Sequence, residues 1–584
     1  MKSDNANANA FAASLMIDEL VRCGVTQFCL APGMRCAPLT VAAARNTRAR
    51  ACVHYDERGA GFFALGHARA GLEPAVLICT SGTAAANFLP AVIEASLDMI
   101  PMIVLTADRP PELRDTGANQ TIDQAKMFQP YVRWQADLPC PDDRLDPAFW
   151  LTTIDQAVYR ARRSPAGPVH LNCMFREPLI PSPDACRTGN APAAIARWDK
   201  SRRPFSDYSG PTEMPDSGAV TALAETIGRT ARGLLLVGSL RNSREQEAVA
   251  RLSQKLRWPT LPDIRSGLRL TDFGKQALRH YDLLLRSESR ARMLGPEVVL
   301  QIGGRMVSKR LLRYVEDLSS SEYVLVDNHP FRYDPAHRVS RRIECDIDAF
   351  CEALATAASG RTDKDWQGRI SRTDLAISTV VENELDENPR LTEPSVARMI
   401  SRQLGSGSAL FLANSMPIRL MDMYAAVGAS VPIAANRGAS GIDGTVACAA
   451  GFAAGTGRPT TLLIGDLALL HDLNSLALLG AAPSPVTVIV LNNNGGGLFD
   501  LLPVAEHADV FEEFFVAPHG RTFEKAAAMY DVPYERPDSA QSFTEACRGA
   551  QEDGASRLIE VMTDRQESIE THKRIREQIA KALA

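Results

Sequence analysis

Two polar strand ends in the last third of the chain carry the residues with the clearest chemical meaning. Asp466 follows the apolar run 461–464 and Gly465, and Asn493 follows the apolar run 486–491. Such runs predict buried parallel strands, with a crossover helix over 472–479 between them. Because carboxyl ends of neighbouring strands meet at one edge of a sheet, the carboxylate and the carboxamide can share one hard cation such as Mg²⁺.

Glycines follow both candidate ligands. Gly495 and Gly496 allow backbone groups to approach a cation and a diphosphate closely. The pattern resembles the diphosphate-anchoring motif of thiamine diphosphate (ThDP) enzymes, Gly-Asp-Gly followed by Asn-Asn, with Leu467 in place of the last glycine of the first element. Two ordinary strand-end turns of an α/β protein are the alternative interpretation.

A carboxylate far from this motif could serve the other end of the same cofactor. Glu57 stands between the strand-like run 51–55 and a helix of small residues over 59–70. A buried carboxyl has a raised pKa, so it can hold or share a proton with the aminopyrimidine ring of ThDP. The alternative is a helix N-terminal carboxylate that is favoured by the helix dipole.

Length, charge and cysteine usage limit the class of protein. The chain has 584 residues, so several domains are expected. Its formal net charge of −5 predicts that it has no nucleic acid partner. It contains no apolar run of about 18 residues and no secretory signal, which predicts a cytoplasmic protein without a membrane span. The twelve cysteines form no Cys-x-x-Cys pair and are expected to be free thiols.

The order of helix and strand patterns predicts an α/β protein with three doubly wound parallel-sheet domains. We expect a pyrimidine-binding domain over 1–185, a central domain over 215–360 and a diphosphate-binding domain over 390–584. Polar segments at 181–218 and 360–394 are predicted linkers, the second with some helix. A basic amphipathic helix is predicted over 571–584. The first turn of the central domain, 238–240, is not a dinucleotide fingerprint.

Several further runs narrow the resemblance to one family. They are 31–40 (Ala-Pro-Gly-Met-Arg-Cys-Ala-Pro-Leu-Thr), 106–113, 117–120, and 492–496 with Phe499 and Leu502. Together with Leu467 they resemble the 2-succinyl-5-enolpyruvyl-6-hydroxy-3-cyclohexene-1-carboxylate (SEPHCHC) synthase family of menaquinone biosynthesis, essentially from end to end. The family usually has serine at the positions of Met34 and Cys36, and loss of one hydroxyl could weaken substrate binding by about 1 kcal/mol.

The resemblance implies a transferase that uses ThDP and Mg²⁺, with Mn²⁺ as a substitute. It would decarboxylate 2-oxoglutarate and add the four-carbon acyl anion to isochorismate in a 1,4 fashion, giving SEPHCHC and CO₂. It also implies a homodimer or a dimer of dimers with the active site between subunits. Carboxylate-rich substrates need several cations, preferably arginine forks.

Roles follow from the same resemblance. The implied catalytic residues are Glu57, Gln120 and Arg419. The implied cofactor-binding residues are Glu57, Ser415, Ile442, Gly465, Asp466, Asn493, Gly495 and Gly496, of which Asp466, Asn493 and the Gly495 carbonyl would ligate the metal. The implied substrate-binding residues are Arg35, Arg109, Asn119, Gln120, Lys309, Arg310, Ser415, Arg419, Arg437, Leu498, Phe499 and Leu502.

Two other functions stay open. One is a ThDP-dependent carboligase with a different acceptor, of the acyloin or acetolactate type, although the arginine set favours dicarboxylate substrates over pyruvate. The other is a non-catalytic ThDP-binding paralogue. The joint presence of Glu57, Asp466 and Asn493 argues against the second, since an inactive copy could lose any of them.

Overall fold

The structure is a computed structural model that describes residues 2–180, 193–318, 321–359, 361–387 and 390–584. The chain folds into two compact units. Unit 1 comprises Met1–Pro211, Asn436–Arg458 and Leu470–Val486, and unit 2 comprises Thr212–Ala435, Pro459–Leu469 and Thr487–Ala584. Two stretches of the C-terminal third therefore pack with the N-terminal segment.

Unit 1 is built around a six-stranded sheet in the order β2-β1-β3-β4-β6-β5 with parallel pairings. Its strands are β1 (Gln27–Leu30), β2 (Arg50–Val53), β3 (Ala75–Cys79), β4 (Met102–Asp108), β5 (Trp134–Leu138) and β6 (Pro168–Met174). Strands β3, β4 and β6 are buried throughout, as expected where helices cover both faces of a parallel sheet.

Unit 2 contains two further sheets with parallel pairings. The five-stranded sheet has the order β11-β10-β9-β7-β8, from β7 (Gly233–Val237), β8 (Thr260–Pro262), β9 (Val298–Ile302), β10 (Glu322–Asp327) and β11 (Arg341–Glu344). The six-stranded sheet has the order β13-β12-β14-β15-β17-β16, from β12 (Ala409–Leu412), β13 (Ile433–Ala435), β14 (Thr460–Gly465), β15 (Val486–Asn492), β16 (Tyr534–Glu535) and β17 (Arg557–Met562). The predicted fold of three doubly wound parallel sheets is confirmed.

Helices separate the strands along the chain. In the N-terminal part they are α1 (Lys2–Arg22), α2 (Ala37–Arg45), α3 (Glu57–Gly71), α4 (Thr83–Ala86), α5 (Leu89–Leu97), α6 (Ala148–Arg162) and α7 (Ala193–Lys200). In the middle they are α8 (Ser217–Arg229), α9 (Ser243–Leu256), α10 (Tyr281–Leu284), α11 (Glu288–Leu294), α12 (Lys309–Asp317), α13 (Ile347–Ala357) and α14 (Lys364–Asp386). The C-terminal part has α15 (Glu393–Gln403), α16 (Met416–Tyr424), α17 (Thr445–Thr456), α18 (Asp466–His471), α19 (Ala477–Ala481), α20 (Ala508–Val510), α21 (Glu524–Met529), α22 (Ala540–Asp553) and α23 (Arg565–Ala582).

The two predicted linkers contain more helix than their polar composition indicated. Residues 181–192 of the first lie outside the described residues, but α7 follows them with Ile195 and Trp198 buried. The second is mostly α14, which buries Trp366 and Ile370, while 360 and 388–389 lie outside the described residues. The three domain boundaries stay a prediction.

The crossover between β14 and β15 differs from the predicted single helix over 472–479. Helix α18 already begins at Asp466, and a 3-10 turn at Leu473–Leu476 separates it from α19. Asp472 explains the break, because its buried carboxylate accepts hydrogen bonds from the amides of Val446 and Ala447 at the start of α17.

Other expectations are met within the described residues. The C-terminal amphipathic helix is α23, which buries Ile575 and Ile579. The eleven described cysteines are free. Among the described helices, none is both long enough and apolar enough to cross a membrane.

Candidate active site

Asp466 and Asn493 lie at neighbouring strand ends in the third sheet, as predicted. Strand β14 ends at Gly465 and Asp466 opens α18, while Asn493 follows the last residue of β15. The Asp466 carboxylate is buried, and its Oδ2 accepts a 2.9 Å hydrogen bond from the amide of Gly495. The chain order of this sheet reverses between β12 and β14, and ligands of doubly wound sheets bind at such a switch point.

The Asn493 side chain is held at its nitrogen end. Its Nδ2 donates to Oε1 of Glu393 over 2.6 Å, whereas its Oδ1 is buried and accepts no hydrogen bond from the described residues. Burial raises the pKa of Glu393 to about 7, and the neighbouring Asp466 carboxylate adds to the rise while the bond from Asn493 opposes it. An unpaired buried carboxamide oxygen is costly unless another group binds it.

The glycine loop after Asn493 is fixed by the segment that follows it. Gly495 has φ +140°, and a Cβ there would lie 2.3 Å from the carbonyl oxygen of Val516. The Gly495 carbonyl accepts a 3.1 Å hydrogen bond from the amide of Gly497, and one of its lone pairs remains for a further partner. The loop position thus requires glycine for reasons of space and backbone conformation.

His519 contacts the predicted metal ligand Asp466. Its Nδ1 accepts from the amide of Arg521, so Nε2 carries the proton and donates to Oδ2 of Asp466 at 3.1 Å. The carboxylate is therefore oriented by the Gly495 amide and by an imidazole. Partners of this kind orient ligands around protein-bound metals.

These features fit a hard cation and a diphosphate. The available donors are carboxylate, carboxamide and backbone carbonyl oxygens, the set that Mg²⁺ and Mn²⁺ prefer. A Cβ placed on Gly465 would meet no described atom within 4 Å, so the protein's own packing does not demand this glycine. The space beside Gly465 is open, and the unpaired Oδ1 of Asn493 can accept from or ligate a bound group.

Two of the predicted cations of unit 2, Arg310 and Arg419, interact with one carboxylate, that of Asp282. Asp282 accepts from Nη1 of Arg310 and from the Ser308 hydroxyl, each over 2.6 Å. Burial lowers the pKa of Arg419, and Asp282 opposes that shift, so the two groups are neighbours. Arg419 also donates to the carbonyl of Ser415, the residue before α16, which has φ +69°. Lys309 is exposed at the start of α12.

The predicted apolar wall is only partly enclosed. Phe499 is half-buried, and its ring packs edge-to-face on Phe515 with centroids 5.7 Å apart. Leu498 is partly buried against the core of unit 2, and Leu502 is exposed. These side chains are available to contact a ligand.

Unit 1 brings two predicted arginines together at the ends of β1 and β4. Arg35 is buried and donates to the Phe175 carbonyl and to the Glu177 carboxylate, each over 2.9 Å. Burial and the neighbouring Arg35 guanidinium lower the pKa of Arg109. The two lie on either side of the switch point between β1 and β3 in the first sheet.

Ser81, at the end of β3, joins Arg109 to Gln120. Nη1 of Arg109 donates to the Ser81 hydroxyl, and that hydroxyl donates to the Gln120 carbonyl over 3.0 Å. Nε2 of Gln120 donates to the Ser81 carbonyl over 2.9 Å, and Gln120 has φ +57°. Gln120 and Asn119 are both exposed.

Glu57 is the first residue of α3 and is half-buried. Asp56 caps the helix by accepting from the amides of Arg58 and Gly59. Helix α3 packs closely on α17, since a Cβ on Gly66 would lie 1.9 Å from the carbonyl oxygen of Cys448. The small-residue helix expected from the sequence is present and holds Glu57 on a rigid element.

The loop that carries Arg437 is clamped by a residue that the sequence did not single out. The buried carboxylate of Glu94 accepts from the amides of Gly438, Ala439 and Ser440 over 2.7, 2.6 and 3.3 Å. Ile442 follows in the same loop and is 36% exposed.

The structure thus groups the predicted residues in each unit and adds residues that sequence reasoning missed. The additions are positioning groups: Ser81, Glu94, Asp282, Glu393 and His519. Only Ser81 carried a local signal, because it stands in a polar strand-end turn beside Gly82. The other four lie in elements that are remote in sequence from the predicted residues or loops that they contact.

Comparison with known proteins gives one family at the level of domains and of the whole chain. Residues 11–127 match the family described as thiamine pyrophosphate enzyme, N-terminal TPP binding domain. Residues 190–412 match the middle domain of thiamine pyrophosphate, and residues 419–561 match the thiamine pyrophosphate enzyme, C-terminal TPP binding domain.

Curated relatives cover nearly the full length. A 2-succinyl-5-enolpyruvyl-6-hydroxy-3-cyclohexene-1-carboxylate synthase of Rubrobacter xylanophilus is 48% identical over 98% of this chain and 99% of its own. Proteins of the same name from Salinibacter ruber and Prosthecochloris aestuarii are 46% and 41% identical, over 99% and 97% of this chain and 98% and 97% of theirs. The chain therefore belongs to the SEPHCHC synthase family of thiamine diphosphate-dependent enzymes.

Proposed function

We propose that the protein decarboxylates 2-oxoglutarate and adds the remaining four-carbon unit to isochorismate, with ThDP and Mg²⁺ as cofactors. The bond between C1 and C2 of 2-oxoglutarate breaks and releases CO₂. C2 then forms a bond to the isochorismate ring in a 1,4-addition, and one proton is taken up overall. The product is SEPHCHC, an intermediate of menaquinone biosynthesis.

The observation that carries the cofactor proposal is the unpaired buried Oδ1 of Asn493 at the strand end next to Asp466. A cation bound by Asp466, Asn493 and the Gly495 carbonyl would satisfy that oxygen. It would also partly neutralise the diphosphate, for which the open space beside Gly465 is available.

Glu57 is proposed as the acid that engages the cofactor ring. ThDP, when bound, supplies a nucleophilic carbon for the 2-oxo group and accepts the charge left by loss of CO₂. Glu57 would hold a proton at the pyrimidine nitrogen, and its place at the rigid start of α3 suits a fixed hydrogen bond. Ile442 would support the bent shape of the cofactor.

The substrates together carry four carboxylates, one of which leaves as CO₂, and cations are the majority of the polar groups proposed to bind them. Ser415, Arg419 and Arg437 would hold the 2-oxoglutarate end. Isochorismate would contact Arg35, Arg109, Asn119, Gln120, Lys309 and Arg310. Leu498, Phe499 and Leu502 would form the apolar wall. Asp282 bonds to Arg310 and opposes the lowering of the Arg419 pKa by burial, so its negative charge partly offsets both cations.

By family resemblance we further propose a homodimer or a dimer of dimers in the cytoplasm, with each active site formed between subunits. Mixing two inactive variants, Glu57→Gln and Asp466→Ala, and exchanging their subunits would then restore part of the activity.

The proposal is tested with purified protein, ThDP and Mg²⁺. CO₂ release from 2-oxoglutarate should rise when isochorismate is added, and pyruvate should replace 2-oxoglutarate poorly. Absence of turnover with the substrate pair would refute the proposed reaction. Retained ThDP binding without any turnover would instead favour the non-catalytic paralogue.

A carboligase with another acceptor is the second candidate, and Met34 favours it. This side chain is 64% exposed next to Arg35, where the family pattern described above has a serine hydroxyl. CO₂ release from 2-oxoglutarate that isochorismate leaves unchanged, but an aldehyde or a second oxoacid stimulates, would support it.

A further inference from the structure

The carboxamide of Asn493 has two chemically different ends, and the described residues engage only one of them. Nδ2 donates to Oε1 of Glu393 over 2.6 Å, and Oδ1 is buried without a hydrogen bond from the described residues. An ionised carboxylate only accepts hydrogen bonds, so the nitrogen end of Asn493 faces the ionised form of Glu393. The inverted amide would place two acceptor oxygens against each other.

Glu393 is well placed to impose this orientation because it is itself immobilised. It is 4% exposed and is the first residue of α15, whose start is fixed by a capping box between Thr392 and Ser395. Its backbone amide donates to the Ser568 hydroxyl at 3.4 Å. The Glu393 carboxylate therefore projects from a helix start that the capping box and the Ser568 hydroxyl hold in place.

The space around the nitrogen end is also full. A Cβ on Gly497 would lie 2.5 Å from Nδ2 of Asn493 and 3.8 Å from Oε1 of Glu393. For Oδ1 the described residues supply no hydrogen-bond partner, although the atom is buried. The nitrogen end of the amide is therefore engaged by the protein, and the oxygen end keeps its capacity to accept.

We propose that Glu393 is a positioning residue for the divalent cation, acting through Asn493. By accepting from Nδ2 it directs Oδ1 toward the metal, where the inverted amide would present two N–H donors to a cation. The inference rests on the proposed role of Asn493 as a metal ligand. Partners that orient metal ligands contribute about 10- to 100-fold to metal affinity in known sites.

The test measures Mg²⁺-dependent ThDP binding by calorimetry on the full-length protein. Glu393→Met removes the acceptor at similar length and should raise the Mg²⁺ concentration needed for ThDP binding by about tenfold or more. Glu393→Gln keeps an acceptor oxygen for Nδ2 and should stay within about threefold of the wild type. Glu577→Gln, a substitution at an exposed site in α23, is the matched control and should leave binding unchanged.

Thermal unfolding of the cofactor-free variants separates positioning from folding. Both Glu393 variants should unfold at similar temperatures although their Mg²⁺ requirements differ. A Glu393→Met variant with the wild-type Mg²⁺ requirement would overturn the inference. A Glu393→Gln variant as impaired as Glu393→Met would also overturn it, because the charge of residue 393 would then matter and the orientation of the Asn493 amide would not. Asn493→Ala distinguishes an error in the metal site from an error in the role of Glu393. If Asn493→Ala binds Mg²⁺ and ThDP normally, the proposed metal site is wrong. If Asn493→Ala fails to bind them while Glu393→Met binds normally, only the role of Glu393 is wrong.

Discussion

The amide of Gly495 donates to Oδ2 of Asp466 over 2.9 Å, which ties the loop after β15 to the residue that follows β14. His519 donates to the same oxygen at 3.1 Å. The carboxylate is thus oriented by the protein itself. A preset ligand loses little conformational freedom when a cation binds.

The first prediction concerns Asp466. Asp466→Ala removes the only carboxylate among the proposed ligands, so Mg²⁺-dependent ThDP binding should be abolished in calorimetric titrations. Asp509→Ala, at an exposed site in α20 of the same unit, is the control and should bind Mg²⁺ and ThDP normally. Unchanged affinity in Asp466→Ala would contradict the proposed anchor.

The second prediction separates cofactor binding from turnover. Glu57→Gln keeps the size of the side chain but removes the exchangeable acid, so ThDP should bind nearly as in the wild type while the rate falls by about 10²- to 10⁴-fold. Steady-state rates at saturating ThDP measure the loss. Glu73→Gln, in an exposed ion pair beyond α3, should be fully active. An active Glu57→Gln would refute the assigned role.

The third prediction is a pH dependence of stability at Asp472. Burial raises the pKa of this carboxyl from 3.8 to about 6, so the native state retains its proton better than the unfolded state does. The contribution of Asp472 to the free energy of unfolding is therefore largest at low pH. It falls by about 3 kcal/mol in total as the pH rises from about 4 through about 6.

Asp472→Asn keeps an acceptor for the amides of Val446 and Ala447 but cannot ionise. Relative to the wild type, its thermal midpoint should rise between pH 4.5 and pH 7. A difference in midpoint that is constant across this range would show that Asp472 ionises equally in both states.

The fourth prediction addresses the acceptor substrate. Met34→Ser supplies the hydroxyl that relatives usually have beside Arg35, and one added hydrogen bond of about 1 kcal/mol should lower KM for isochorismate by about fivefold. Initial rates at varied isochorismate test this, with KM for 2-oxoglutarate as the internal control. A KM for isochorismate that does not change would leave Met34 without a role in acceptor binding.

Local patterns predicted the strands and the groups at their ends. The apolar runs 461–464 and 486–491 became β14 and β15, and the strand-like run 51–55 overlaps β2. These predictions succeed because a buried parallel strand needs a continuous apolar run whatever its surroundings.

Residues that act through others could not be predicted in this way. In the sequence alone, Glu393 has the pattern of an ordinary carboxylate in the first turn of a helix, here α15. Glu94 has the pattern of an ordinary polar residue within a helix, here α5. Their roles arise from contacts with Asn493 and with the loop after Arg437, which are far away in the sequence. Asp472 similarly broke the expected crossover helix, because its carboxylate bonds to α17 instead of facing solvent.

The most direct test of the proposed reaction follows the carbon atoms of 2-oxoglutarate. With ThDP, Mg²⁺ and isochorismate present, label at C1 should leave as CO₂, and label at C5 should appear in a product with the mass of SEPHCHC. Consumption of 2-oxoglutarate with isochorismate recovered unchanged, or C1 label retained in the product, would contradict it.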